Sequence, residues 1–423
     1  MSGAVAAHAA YNGSGTQGLA VTNKIHDDDG DVMSVFWNKN GTTRQLLYGS
    51  AFVEVPSSGG SGTNDARKDS NMIFDVNNDI DCLGDMVLNV KFTNTDSSSA
   101  APLDSQQFAN VVTRIEVQVG TQIWQTFENA DLLALASTEL SSGSFADFCF
   151  QTTGGVSDNN QFINVAPGSV EKGGTANAYI PIKLFTKTLG PRLENFAEQT
   201  ESGYLMAAAP HQQVKVKVYT SGKSTLTGTL GLGLYAKNQV MCNEEREQMK
   251  AMPMGLPKRI KMTQNKSYSN AAANPSSLDI DLDIFSLYAS HIIISIPTPS
   301  SDAAAFLTAV YSGYAELLLN SSSFSGKLPL GLLKLTASSM GLFTNEYWDA
   351  NANTSANLTF VFPLASQAYG GSSVPLNRFD NIRLKLTGLP AADGISAGDI
   401  VNITCVGETT ALYKGGAASL AMY

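Results

Sequence analysis

Charge is scarce in this chain. Lys, Arg, Asp and Glu supply 15% of its 423 residues, against about 25% in ordinary soluble proteins. Basic residues are the scarcer sign, with 27 Lys and Arg against 37 Asp and Glu and a net charge of −10. Binding a nucleic-acid backbone needs clustered Lys and Arg. The one basic run, Lys258-Arg259-Ile260-Lys261, reads as a solvated strand edge, so no direct sequence-specific nucleic-acid contact is expected. Histidine is equally sparse. His8, His26, His211 and His291 are isolated and form no His-x-His pair, which argues against the clustered ligands of a metal-dependent β-sandwich enzyme. The four cysteines, Cys82, Cys149, Cys242 and Cys405, are far apart and form no C-x-x-C pair. Residues 1–20 have no basic start followed by an apolar core. Free thiols in a reducing compartment are therefore expected. No apolar run approaches the roughly 18 residues of a membrane span. Neither a G-x-S-x-G elbow nor a P-loop occurs. No catalytic, cofactor-binding or metal residue is nominated.

What is present is 43% hydrophobic residues, enough for real cores, on a surface of Ser, Thr, Asn, Ala and Gly. Such a surface suits protein-on-protein packing, because little charge must be desolvated. The length allows two or three domains. The most charge-dense stretch is Cys242 to Met262. Asn243 is placed to cap a helix carrying Glu244 and Glu245 in its first turn, and Pro253 ends it. This segment reads as a short helical joint between two bodies of β-structure.

Along the chain, residues 1–33 read as an arm without its own core. Its acidic run Asp27-Asp28-Asp29 lacks the closing glutamate of a calcium loop. Strands are expected at 46–55, 71–76, 85–92, 113–119, 122–127, 179–185, 214–219 and 226–235. Thr113 to Val119 alternates with period two, Ile115, Val117 and Val119 opposing Arg114, Glu116 and Gln118. A helix is expected at 129–140. The polar stretch 141–178 reads as a long insertion outside the core, so excising 145–172 is expected to leave folding intact. Beyond the joint, strands are expected at 278–284, 291–296, 314–320, 328–335, 358–364, 382–386 and 401–405, with a short helix at 303–310. Asp279, Asp281 and Asp283 read as the wet face of a strand. Residues 415–423 read as a small-residue tail.

The two halves share a pattern. Gln213-Val-Lys-Val-Lys-Val-Tyr219 and Thr229 to Tyr235 close the first half. Asn381-Ile-Arg-Leu-Lys-Leu-Thr387 and Asp399 to Cys405 close the second. Val214 to Ile382 spans 168 positions and Leu232 to Ile403 spans 171; the hairpin strands Arg114 to Gly120 and Tyr314 to Asn320 lie 200 apart. Near-constant offsets are a repeat signal. About eight short strands per half make a β-sandwich.

Five segments then resemble the double jelly-roll major capsid proteins of nucleocytoplasmic large DNA viruses. Ser34-Val-Phe-Trp-Asn-Lys39 is similar to the family's opening segment. Arg114-Ile-Glu-Val-Gln-Val-Gly-Thr-Gln-Ile123 resembles its "E-x-x-x-G-x-x-I" hairpin, and Asn243-Glu-Glu-Arg-Glu-Gln-Met249 its "E-E-R" joint. Asn377-Arg-Phe-Asp-Asn-Ile382 resembles its late strand entry, and Gly415 to Tyr423 its "G-x-G-G-L-A-Y" tail. The resemblance implies an all-β fold of two tandem eight-stranded antiparallel jelly rolls, with short helices in connections. The divisions are 1–33 arm, 34–241 first roll, 242–257 joint, 258–414 second roll and 415–423 tail. It also implies a structural protein and not an enzyme. Three copies would form a pseudo-hexameric capsomer that tiles an icosahedral virion, assembled in the host cytoplasm. Implied partners are itself, neighbouring capsomers, minor capsid and penton proteins, and an indirect contact with an inner membrane layer. No cofactor is implied.

Two rival readings stand beside this one. A minor capsid paralogue would share the fold. A lectin-like attachment protein would need exposed loop aromatics, for which Phe150, Tyr347 and Trp348 are candidates. Glu316 could join a glycosidase-like carboxylate pair, though any acidic chain offers such pairs. Sequons at Asn12, Asn40, Asn265, Asn320, Asn353, Asn357 and Asn402 are what a Ser/Thr/Asn-rich sequence produces freely.

Overall fold

The computed structural model describes residues 50–59, 63–76, 80–95, 111–140, 151–153, 174–184, 188–189, 199–200, 204–206, 209–222, 227–239, 256–271, 273, 275–297, 310–344, 347–348, 356–365, 373–390, 395, 397–414 and 416–421. The expected arm, the Ser34 to Lys39 segment, the joint helix, all but the last residue of the short helix expected at 303–310, His8, His26, Phe150, Cys149 and Cys242 lie outside these.

Alternation decides the strands. In the first half the chain forms β1 (Ser50–Val55), β2 (Ser70–Val76), β3 (Cys82–Asn94), β4 (Val112–Val119) and β5 (Gln122–Glu128). Helix α1 (Asn129–Glu139) follows, then β6 (Gln151–Thr153), β7 (Thr175–Ile182), β8 (Val214–Thr220) and β9 (Gly228–Gln239). On β8, Val214, Val216 and Val218 are fully buried while Lys215 and Lys217 face outward. Burying each such valine stabilises the fold by roughly 1.5–3 kcal/mol, which fixes register, since a one-residue slip would expose all three.

The second half forms β10 (Leu256–Ser269), β11 (Ser277–Asp281), β12 (Tyr288–Pro297), β13 (Tyr314–Leu319) and β14 (Ser322–Ser323). Helix α2 (Leu330–Ser339) comes next, then β15 (Tyr347–Trp348), β16 (Ala356–Pro363), β17 (Ile382–Thr387), β18 (Ile400–Lys414) and β19 (Ala417–Ala421). A few strands of two or three residues pair at the margins.

Each half stacks a 7-stranded sheet on a 5-stranded one, all pairs antiparallel. The larger sheets run β1-β9-β3-β7-β6 and β10-β18-β12-β16-β15; the smaller run β2-β8-β4-β5 and β11-β17-β13-β14. Adding nine to each label of the first half gives the second half. The sheet count exceeds the expected eight strands because short edge strands join; among the described residues of the first half eight strands are six residues or longer.

Register confirms the repeat at residue level. Glu116 faces Lys217, and Glu316 faces Lys385. Gly120 and Asn320 hold the same hairpin corner with φ of +59° and +50°. Asn320 secures it by accepting the backbone N–H groups of Asp380 and Asn381 on Oδ1. Both large sheets carry a bulge at the same place, between Ala236 and Asn238 opposite β3, and between Ala289 and His291 opposite β18. Matching the bulges makes Leu232 equivalent to Val401, so the Leu232 to Ile403 correspondence was two residues out of register.

Three other expectations need correction. Residues 328–335 are not a strand. Only Leu328–Pro329 pairs, and α2 starts at Leu330. Leu330, Leu333 and Ala337 are buried at helical spacing, and the period of 3.6 prevailed over an apparent alternation. This strengthens the repeat, because α1 follows its hairpin in the same way. The stretch 141–178 is not wholly outside the sheet. Gln151–Thr153 pairs with Thr175 to Asn177, so excising 145–172 would remove an edge strand. The tail is not free either, since β19 pairs with β18 and Ala418 is buried.

Candidate functional site

With no nominated catalytic residue, the feature that asks for explanation is the seam where the halves meet. The first-half core is continuous with Ile260, Ile293, Val406, Ala411, Tyr413 and Ala418 of the second half. The second half keeps a separate core inside its own sandwich. The outer face of its large sheet is therefore buried against the first half.

Helix α1 is the main contact. Ala130, Ala134 and Ala136 keep it slender. Leu132 and Ala136 are buried, and so are Asp131, Ala134, Ser137 and Thr138. Burial on both faces is why the helix shows no clear amphipathic stripe. Its start is a capping box: Asp131 Oδ2 accepts the Glu128 N–H at 3.1 Å, while the Glu128 side chain accepts the Asp131 N–H. The exit is tied down by the Phe343 N–H, which donates to the Thr138 carbonyl at 2.7 Å.

Across the seam the contacts are polar and matched. Lys261 Nζ donates to both oxygens of Glu139 at 2.6 and 2.7 Å, with both side chains almost wholly buried. Burial pulls the Lys261 ammonium down, and Glu139 opposes that pull. Gln125 Nε2 donates to Thr263 Oγ1. The Lys261 N–H donates to the Leu184 carbonyl at 2.9 Å, a backbone link between the halves. Gln212 clasps β19, accepting the Ala418 N–H at 2.6 Å and donating to its carbonyl at 3.0 Å. The Trp124, Tyr204 and Tyr413 rings pack in series, the first pair edge to face and the second tilted, with centroids 5.5 and 5.4 Å apart.

The basic run thus has a different role from the one its sequence suggested. It lies on β10, with Lys258 and Arg259 opposite Ala411 and Thr410, but Lys261 is buried rather than a solvated edge residue. His291 is buried beside the same ion pair. Its Nδ1 is 2.8 Å from Ser290 Oγ, whose hydroxyl donates to the Val406 carbonyl. Burial lowers its pKa to about 4, so it is neutral at pH 7. His211 sits at the tail, next to Gly416. Sequence reasoning missed Asp131, Glu139 and Gln125. The one usable signal was polar residues at the buried positions of α1.

The other nominees are apart from the seam. Asp279 faces Arg383 and Lys385 at 3.9 and 4.0 Å. Asp281 accepts the Asp283 N–H, and Asp283 accepts the Ile382 N–H. These carboxylates close a strand end. Among the described residues no His, Cys, Asp and Glu cluster suited to a metal is present, and no helix is long and apolar enough to cross a membrane. Tyr347 and Trp348 lie on β15, paired with Asn357 and Ala356. Of the sequons, Asn265 is placed against Asp131 in the seam.

Asp131 makes the seam sensitive to pH. Burial raises its pKa to about 7, with the Glu128 backbone N–H opposing the rise and the Glu128 charge adding to it. A carboxyl whose folded pKa exceeds its unfolded value contributes stability that is complete below the unfolded value and lost as pH rises through the folded one. Asp131 should therefore favour the fold at pH 4 and progressively lose that contribution up to about pH 7. His291 has the opposite sense: its contribution is present above pH 6.5 and lost as pH falls through about 4. Between those limits the two offset each other. In urea denaturation at a series of pH values, Asp131→Asn should make stability rise from pH 4 to 6.5, where the two otherwise offset, and remove the decline that follows up to about pH 7. An unchanged decline would contradict the assignment.

The architecture defines the class: a tandem of two equivalent jelly rolls, the double jelly-roll fold. No family model matches the chain, and no curated protein matches it. Among solved structures it is similar to VP54 of PBCV-1, at 12% identity and a TM-score of 0.64, covering 91% of this chain and 99% of that one. It is similar to a chain of the PBCV-1 virus capsid with the same identity and coverage and a TM-score of 0.66. The Faustovirus major capsid protein matches at 7% identity and a TM-score of 0.55, covering 94% of this chain and 96% of that one. At these identities the likeness establishes the shared fold.

Proposed function

We propose that this chain is a major capsid protein, and that three copies form a pseudo-hexameric capsomer tiling the icosahedral shell of a large double-stranded DNA virus. The observation that carries this is the strand-for-strand equivalence of the two rolls along a chain that nearly fills, and is nearly filled by, capsid chains of the same fold. Two equivalent rolls per chain give a trimer six similar walls, which is the shape that packs among hexagonal neighbours. Low surface charge lets such blocks abut. The role is structural and not enzymatic. We assign the first roll to 34–241, the joint to 242–257 and the second roll to 258–414.

The protein's place is the virion shell, after assembly in the host cytoplasm. Its partners are further copies of itself, minor capsid proteins and penton proteins. Sedimentation of the purified protein should give a mass three times that of the 44.8 kDa chain at micromolar concentration. A monomer at every concentration would favour the attachment-protein or paralogue reading instead.

A further inference from the structure

The two helices occupy equivalent places but have unequal surroundings. Ile115 and Arg114 pair with Phe127 and Glu128, just as Ala315 and Tyr314 pair with Leu328 and Pro329. This makes Asp131 equivalent to Leu332, Ala134 to Leu335, and Thr138 to Ser339. The α1 members are buried under the second roll. The α2 members are open: Leu332 is 40% and Leu335 68% exposed. Opposite Val117 stands the buried Gln125; opposite Leu317 stands Phe324, 43% exposed.

The complementary surface shows the same asymmetry. The bulge-matched register makes Thr263 on β10 equivalent to Phe52 on β1, Thr404 equivalent to Tyr235, and Lys261 equivalent to Ser50. Thr263 is covered by the first roll, whereas Phe52 is 55% exposed. So the second roll has an uncovered helix, and the first roll has an uncovered sheet of the kind that covers such a helix.

The chemistry changes on both sides together. Inside the chain, Gln125 meets Thr263; the equivalent pair is Phe324 with Phe52. Inside the chain, Glu139 meets Lys261; the equivalent positions are Met340, which packs inward with Val361, and Ser50. Asp131 lies against Thr404; its counterpart Leu332 would lie against Tyr235. These three polar pairs of the internal seam are thus replaced by uncharged ones; the charged exception is Glu54, the counterpart of Asn265, which is exposed beside Phe52 and would border Leu332. On the same sheet Asp85 and Lys237, adjacent across the bulge, are of opposite sign.

We infer that the α2 face of one copy, centred on Leu332, Leu335 and Phe324, docks on the β1 side of the large sheet in the first roll of a neighbouring copy. The contact repeats between chains the seam that joins the rolls within a chain. Each copy carries one of each surface, so the interface is heterologous and makes a ring where its rotation closes; that it closes at three copies rests on the reading given under Proposed function. The apolar character suits a contact that must form from separate chains, since its drive is removal of apolar surface from water.

The test compares wild type, Leu332→Glu/Leu335→Glu and Phe52→Glu by sedimentation, with circular dichroism and thermal melting to confirm folding. All three positions are exposed, so folding should persist. Each variant should associate ~100-fold more weakly and run as monomer at micromolar protein. A second measurement oxidises an equimolar mixture of Phe52→Cys and Phe324→Cys proteins. It should give a cross-linked dimer that neither variant forms alone. If wild type is a trimer and the glutamate variants remain trimeric, or the mixture gives no specific cross-link, this interface is wrong. A monomeric wild type would instead overturn the trimer reading itself.

Discussion

Lys261→Met should lower the stability of the folded chain by about 3–5 kcal/mol, the range for removing one partner of a buried ion pair. The reason is what remains. Glu139 holds two short hydrogen bonds from Lys261 Nζ and is itself almost excluded from water. Without the ammonium its charge is stranded in the seam. Burial also disfavours the charged form of the neighbouring His291, so it is a poor substitute for the ammonium. The double variant Lys261→Met/Glu139→Leu should recover most of the loss or exceed wild type, since a well-packed apolar pair avoids the desolvation cost of both ions. Urea denaturation at neutral pH gives both values. If the single variant is as mild as the double, the ion pair is not isolated from solvent as described.

Trp124→Ala should cost about 3–5 kcal/mol, as other large-to-small aromatic substitutions in cores do. Trp124 is among the largest fully buried side chains, and its ring is the first of the three that run from Trp124 through Tyr204 to Tyr413. Tyr413 belongs to the second roll and Tyr204 to the first. The cavity therefore opens where the halves join, and both should loosen together. Hydrogen exchange on the variant should show reduced protection on β10 and β18 as well as on β4 and β5. Loss confined to the first roll would mean that the rings do not couple the halves.

How much of this was legible in the sequence depends on what each residue answers to. The strands around Ile115, Val117, Val119 and Val214, Val216, Val218 were legible, because period-two burial is a local consequence of one buried sheet face. The repeat was legible through Glu116 and Glu316, which keep the same hairpin position. Residues 328–335 were misread because Leu330, Leu332 and Leu335 mix an inward helical stripe with outward leucines, and the mixture mimics alternation. The outward leucines are the feature that the proposed interface explains. Lys261 was misread because a lysine in a basic run is ordinarily solvated. Its burial depends on Glu139, which is distant in sequence, and nothing local records that meeting. The same holds for the tail, whose strand character comes from pairing with β18 and from Gln212 rather than from its own small residues.

Averaged electron-microscope images of the purified wild-type protein bear most directly on whether these paired rolls exist to build a closed block. The account expects threefold particles with a six-sided outline, two lobes to each chain, and α2 of every chain turned toward the first roll of the next. Single two-lobed particles, or pairs related by a twofold axis, would contradict it.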